Sequence, residues 1–127
     1  MPRLTWLPWC AVALGALTGC GTEPVTCTEE VLPAVVVDIR DAFDDVPIAE
    51  AARGAVQDGA FLDSLRPFGA VGNGTLVSRA AADERAGEYT VTIEHDGYLP
   101  WETTVRVGRN ACHVETVKVS VYLTAVP

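Results

Sequence analysis

The stretch 87–101 constrains the fold of this chain more than any other. Apolar side chains alternate with polar ones along its first half, at Tyr89, Val91 and Ile93. Alternation with a period of two places these side chains on one face of an extended segment, which is typical of a half-buried β-strand. Asp96 and Gly97 follow, and glycine tolerates the positive φ of a tight turn. The pattern therefore predicts a strand that ends in a turn, with Tyr98 and Trp101 as apolar anchors beyond it.

Similar short segments, separated by Gly, Pro and Asp, recur along the chain. They predict further strands over residues 31–39, 49–57, 60–65, 75–79, 102–107 and 112–123. Residues 66–74 are predicted to form a flexible loop, and residues 80–86 a loop or a single helical turn. Because no segment has a convincing helical period, we expect an all-β, antiparallel sandwich of seven or eight strands. In the last strand Val117, Val119 and Val121 are expected to face inward.

The first 19 residues have the pattern of a secretory signal. Arg3 precedes a nearly continuous apolar run, which is shorter than the roughly 20 residues that a membrane-spanning helix needs. The run ends in Leu17-Thr18-Gly19-Cys20, which resembles the lipobox of bacterial lipoproteins. The resemblance implies that a diacylglycerol is attached to the Cys20 thiol and that the chain is cleaved before Cys20. Ordinary cleavage that leaves Cys20 as an incidental thiol is the alternative.

The chain is thus expected to divide into three parts. These are a lipoprotein signal peptide at 1–19, a lipidated tether at 20–30 and one β-sandwich domain at 31–127. Several acyl chains on one cysteine would anchor the protein stably in a membrane. The residue after Cys20 is Gly21, not the Asp that retains lipoproteins at the inner membrane of enteric bacteria. We therefore expect a protein of the cell envelope, with the outer membrane preferred.

The charge of the chain disfavours some partners. Loss of Arg3 with the signal reduces the 9 basic residues to 8, against 17 acidic residues, so the net charge becomes 8 − 17 = −9. Such a surface repels nucleic acid and anionic lipid headgroups. The acidity itself is explained by solubility.

The cysteines predict a disulfide. Cys10 leaves with the signal and Cys20 carries the lipid, so Cys27 and Cys112 remain in an exported domain, where disulfides persist. The alternative is a metal site that uses both cysteines together with His113. No metal is predicted, because the chain has neither a Cys-x-x-Cys motif nor paired histidines.

The strand pattern also resembles a known family. Gly87-x-Tyr89-x-Val91-x-Ile93, followed by Gly97-Tyr98, is similar to the carboxypeptidase regulatory-like domain. Other positions match the family at an upstream turn, namely Asp41, Pro47, Ile48 and Ala51, whereas Asp45 stands where the family usually has glycine. The resemblance spans about residues 33–123 and implies a Greek-key sandwich of the transthyretin (prealbumin) type. It also implies an accessory domain without catalytic activity.

The residues themselves indicate no catalytic machinery. The serines of the folded part, at 64, 78 and 120, lie in no Gly-x-Ser-x-Gly motif, and His95 and His113 are expected to be partly exposed surface residues. The acidic segment 38–45 has oxygen ligands suited to calcium but lacks the spacing of a calcium loop. We therefore predict neither enzymatic activity nor a cofactor.

Two functions fit these observations. The first is a lipid-anchored accessory module that binds a protein partner or supports the envelope. The second is a surface carbohydrate-binding module, in which Tyr98 and Trp101 stack against a sugar ring. An exposed Trp101 favours the second function, and a buried Trp101 excludes it.

Overall fold

The computed structural model describes residues 25–127, which form eight β-strands. The strands are β1 (Pro33–Asp41), β2 (Arg53–Asp58), β3 (Phe61–Ser64), β4 (Arg66–Ala70), β5 (Leu76–Asp83), β6 (Gly87–Glu94), β7 (Trp101–Val107) and β8 (Val117–Leu123). No helix within residues 25–127 is long and apolar enough to cross a bilayer. The predicted signal peptide and the lipidation site Cys20 lie outside the described residues.

The strands form two four-stranded sheets. One has the order β4-β5-β1-β8 and the other β3-β2-β6-β7. The predicted all-β sandwich is therefore confirmed. The expectation of purely antiparallel pairing is wrong for one pair, because β1 and β8 run parallel from Val35 opposite Val117 to Asp41 opposite Leu123. Because these two strands are far apart in sequence, no short hairpin connects them, and a short hairpin is what would require them to run antiparallel.

The core lies between the two sheets. The inward face of β6 contributes Tyr89, Val91 and Ile93, all fully buried, as the alternation predicts. The facing sheet contributes Val35, Val37 and Ile39 of β1, which are also fully buried. In β8 only Val121 and Leu123 are buried, whereas Val117 and Val119 are half-buried, because β8 is an edge strand.

Two segments that were predicted to be irregular are strands. Residues 66–70 form the edge strand β4, in which Pro67 is tolerated because an edge strand leaves one side of its backbone unpaired. The register of β4 against β5 is irregular at Gly69. Residues 80–83 continue β5, since pairing with β1 overrides the weak strand propensity of alanine.

Two predicted strands begin four or five residues later than expected. β2 starts at Arg53, because residues 49–51 form a turn that buries Ala49. β8 starts at Val117. The preceding segment is bent because the side chain of Asn110 accepts hydrogen bonds from the backbone N–H groups of Cys112 and His113, both at 2.9 Å.

The parallel pair gives the domain two distinct ends. We call the end where β1 and β8 begin the arm pole, and the end where they finish, at Asp41 and Leu123, the tip pole. The 9 residues of β1 separate the poles by roughly 26 Å, at about 3.3 Å per residue. The segments 25–32, 84–86 and 108–116 belong to the arm pole, and the segments 42–47, 95–100 and 124–127 to the tip pole.

Candidate functional site

The arm pole is closed by the predicted disulfide. Cys27 and Cys112 are bonded, with their Cα atoms 5.2 Å apart, which confirms the pairing. Both cysteines lie just outside the strands, Cys27 ahead of β1 and Cys112 ahead of β8. The bond therefore joins the amino-terminal arm to the segment that leads into the last strand. Since both thiols are consumed, the alternative metal site is excluded.

A hydrogen-bonded network lies beside the disulfide. The ring of His113 joins Thr28 Oγ1, 2.9 Å from Nε2, to Glu84 Oε1, 2.7 Å from Nδ1. The Glu84 carboxylate also accepts the N–H groups of Leu32 at 2.9 Å and Val114 at 3.3 Å. His113 is thus a fixed part of the arm pole, and its side chain, which is 15% exposed, remains partly exposed as the sequence predicted.

This network has the connectivity of a hydroxyl–imidazole–carboxylate relay. The sequence gives no local sign of it, because Thr28 and Glu84 lie 85 and 29 residues from His113. The three side chains come from the amino-terminal arm, the β5–β6 turn and the segment before β8. Glu84 directs much of its bonding capacity to backbone N–H groups, which fixes chain segments in place. We therefore interpret the network as a clamp that reinforces the disulfide.

Glu84 makes this clamp sensitive to acid. The pKa of its carboxyl group is lowered chiefly by the hydrogen bond from the Leu32 N–H, and the contact with His113 lowers it further against the opposing effect of partial burial. A group whose pKa is depressed by folding adds stability above its unfolded pKa, about 4.5 here, and that stability is lost as the pH falls through the folded pKa.

We expect Glu84→Gln to lower the melting temperature at pH 7, because the carboxylate interactions are lost. The difference from wild type should begin to shrink as the pH falls below about 4.5, and it should vanish only below the lower pKa of the folded state, where the wild-type carboxyl group is itself protonated. Thermal unfolding followed by circular dichroism between about pH 3 and 7 measures this difference. Glu102→Gln, at an exposed position of β7, is the matched control. A gap that stays constant over this pH range would refute the role given to Glu84.

The tip pole carries a turn that is rich in aspartate. Asp41 Oδ1 accepts the N–H groups of Phe43 at 2.7 Å and Asp44 at 3.2 Å, and Asp44 Oδ1 accepts the Val46 N–H at 3.1 Å. Asp45 has a φ of 61°, a conformation that aspartate tolerates better than most residues. The aspartates of this turn thus satisfy backbone donors and shape the chain locally. Within residues 25–127, no group of three or more His, Cys, Asp or Glu side chains is placed to hold a metal ion.

An open cleft of about 370 Å³ adjoins this turn, between Arg53 of β2 and the β6–β7 connection. Arg53 forms ion pairs with Glu94 at 3.4 Å and Asp96 at 3.2 Å along its rim. Tyr98 lines the cleft and donates its hydroxyl to Asp41 Oδ2 at 2.5 Å. This bond lowers the pKa of Asp41 and raises the pKa of Tyr98, because it favours the charged carboxylate and the neutral phenol. The cleft therefore combines a fixed aromatic ring with charged hydrogen-bonding groups.

The two aromatic residues predicted to bind a ligand lie in different surroundings. Tyr98 lines the cleft, where the ring of His95 contacts it edge-on with the ring centres 4.7 Å apart. Trp101 begins β7 opposite Ile93, is half-buried and packs against the core. Trp101 is not among the residues that line the cleft, so the two rings do not form one platform there.

The tip pole also exposes apolar side chains that sequence reasoning did not single out. Phe43 is 98% exposed, and Val46, Leu99 and Val126 are each about half exposed. The only signal in the sequence was an aromatic residue inside an aspartate-rich turn.

Comparison with known proteins adds no family to this description. No protein-family model matches the chain, and no curated protein matches it.

Proposed function

We propose that this protein is a non-catalytic, lipid-anchored β-sandwich that serves as a binding or structural accessory module in the bacterial cell envelope. The observation that supports this most is the separation of the two poles. The amino-terminal arm is covalently tied at the arm pole through Cys27, and the exposed turn 42–46 lies at the tip pole. From Cys20 to Cys27 the chain advances 7 residues, which reach at most about 25 Å when fully extended. A lipid on Cys20 would therefore hold the arm pole near the membrane and turn the tip pole away from it.

We further propose that the domain is a carboxypeptidase regulatory-like domain with the Greek-key, prealbumin-like arrangement. Strand β6 carries the motif residues Tyr89, Val91 and Ile93 inward, and Gly97 adopts the positive φ that the motif requires before Tyr98. Asp45 stands where the family usually has glycine. Its φ of 61° explains why the family prefers glycine there, since glycine adopts a positive φ at no steric cost. These observations support the resemblance at the positions that carry it.

A surface carbohydrate-binding module is the second candidate. The cleft beside Tyr98 favours it, since an aromatic ring suits the apolar face of a sugar and Arg53, Glu94 and Asp96 suit its hydroxyl groups. The packing of Trp101 against the core weighs against a platform of two rings. Binding to an immobilised glycan that is lost in Arg53→Ala would select this function over the first.

The anchor is tested by metabolic labelling with a radioactive fatty acid. We expect the wild-type chain to incorporate the label and Cys20→Ser to lose it, because the lipid is attached to that thiol. Cys10→Ser is the matched control, since Cys10 lies within the predicted signal, and it should keep the label. Equal labelling of the Cys20→Ser chain would reject lipidation at this residue.

A further inference from the structure

We propose that the tip pole docks onto a protein partner through Phe43, and that the partner offers an apolar pocket rimmed by Arg and Lys side chains. The proposal rests on the assignment of the domain as a binding module and names the chemistry of its partner. Three observations carry it: the exposure of Phe43, the rigidity of the turn that presents it, and the charge around it.

Phe43 is presented by a turn with little freedom to move. Its side chain is 98% exposed. Its own N–H donates to Asp41 Oδ1 at 2.7 Å, and Asp45 N–H donates to Asp41 O at 3.0 Å. Asp41 N–H donates to Val46 O and Ala42 N–H to Leu123 O, both at 2.9 Å. A large side chain on a preorganised backbone loses little entropy on binding, which is the property of an interface anchor.

Further apolar surface lies in the segments bonded to this turn. The hydrogen bond from Ala42 to Leu123 joins the turn to the end of β8. The residues after β8 are bonded in turn to the β6–β7 connection, because Leu99 N–H donates to Thr124 O and Val126 N–H donates to Gly97 O. Leu99 is 47% exposed and Val126 49% exposed, and Val46, within the turn, is 51% exposed. The tip pole thus offers one fully exposed aromatic side chain together with half-exposed aliphatic side chains. This composition fits an anchor inserted into a pocket, with weaker contacts around it.

The charge around Phe43 indicates which kind of partner fits. Asp44 and Asp45 are exposed next to it, and Arg40 contacts Asp45 at 3.9 Å and so offsets part of the charge. The turn remains acidic, so a pocket with a basic rim is complementary and would be attracted over several ångströms. A symmetric contact between the tip poles of two copies of this chain would bring two acidic turns together. An anionic lipid surface would likewise be repelled, and the proposed anchor turns the tip pole away from the membrane.

The experiment places the photo-crosslinking residue p-benzoylphenylalanine at position 43 of the full chain in native membranes. The matched control carries the same residue at position 68, because Phe68 is 52% exposed on the edge strand β4. We expect position 43, but not position 68, to crosslink to one protein. Mass spectrometry of the crosslinked peptide should place the contact at apolar residues flanked by Lys or Arg.

A second variant tests the contribution of charge while it keeps the backbone hydrogen bonds of the turn, including the bond from Arg40 Nη1 to Asp45 O. Asp44→Asn/Asp45→Asn keeps a side-chain oxygen to cap Val46 N–H and a residue that tolerates positive φ, but it removes both charges. We expect the double variant to reduce crosslinking from position 43 severalfold, and added salt to reduce it in the parent chain. With the crosslinked partner purified, Phe43→Ala should weaken binding at least about tenfold.

Several results would overturn the proposal. One is a crosslink from position 43 to lipid, to a second copy of the chain or to a protein surface without basic residues. Another is a crosslinking yield at position 43 that is no higher than the yield at position 68. An effect of the Asp→Asn pair below twofold would overturn it as well. The lipid label on Cys20 is measured separately, so failure here can be distinguished from failure of the anchor.

Discussion

Replacement of Cys27 and Cys112 by serine is expected to lower the free energy of unfolding by about 2–5 kcal/mol. The disulfide closes a loop with a sequence separation of 85 residues. In the chain-entropy model a loop of this length restrains the unfolded chain by about 4.6 kcal/mol, which sets the upper part of that range. The bond also lies just ahead of β8, an edge strand whose register against β1 decides whether Val121 is buried.

Urea unfolding of the double variant, measured beside oxidised and reduced wild type, checks this expectation. Reduced wild type should unfold close to the double variant, because both lack the bond while their other side chains match closely. In the unreduced, denatured wild-type protein, Cys27 and Cys112 should not react with a thiol-labelling reagent, because they are bonded to each other. A loss of less than about 1 kcal/mol would contradict the stabilising role of the disulfide, and two titratable thiols at Cys27 and Cys112 would contradict the bond itself.

Tyr89→Ala is expected to destabilise the domain by about 3–5 kcal/mol, the usual loss when a large aromatic ring is removed from a core. Tyr89 is fully buried, and its ring lies 6.2 Å from that of Phe61 in an edge-on contact. Its hydroxyl donates to Arg85 O at 2.5 Å and accepts from Arg85 Nη1 at 3.1 Å. The substitution therefore creates a cavity and also leaves polar groups of the β5–β6 turn without their partner.

Two further variants separate these effects in the same urea experiment. Tyr89→Phe keeps the ring and removes the hydroxyl, and should cost only about 1–2 kcal/mol. Tyr122→Ala is the matched control, because Tyr122 is 52% exposed on β8, and its loss should stay within about 1 kcal/mol. A Tyr89→Ala variant no less stable than Tyr122→Ala would show that Tyr89 does not anchor the core.

The sequence predicted the fold best where local pattern and tertiary environment agree. The stretch 87–101 was expected to begin with a strand that ends before the turn at Asp96 and Gly97, and β6 occupies Gly87–Glu94, because its alternation matches a sheet with one buried face. The alanines of β5 and the Pro and Gly residues of β4 have poor strand propensity, so only pairing with neighbouring strands makes them extended. The parallel pairing of β1 with β8 has no local signal, because more than 75 residues separate the paired positions.

The candidate site residues show the same difference between what the local sequence predicts and what only the fold brings together. The disulfide could be predicted because export and the number of remaining cysteines left few choices. The contacts of His113 with Thr28 and Glu84 could not, since they depend on segments 85 and 29 residues away. Phe43 was missed for a different reason. An aromatic residue in a loop is as compatible with burial as with exposure until the fold places it.

Intact-mass measurement of the chain extracted with detergent from its native membranes tests the proposed anchor most directly. We predict a polypeptide that begins at Cys20 and carries a diacylglycerol on its thiol, with a further acyl chain on the new amino group in the usual case. The mass should also show the two hydrogens lost in the Cys27–Cys112 bond. A mature chain with an unmodified amino terminus would contradict the anchor and, with it, the orientation of the two poles.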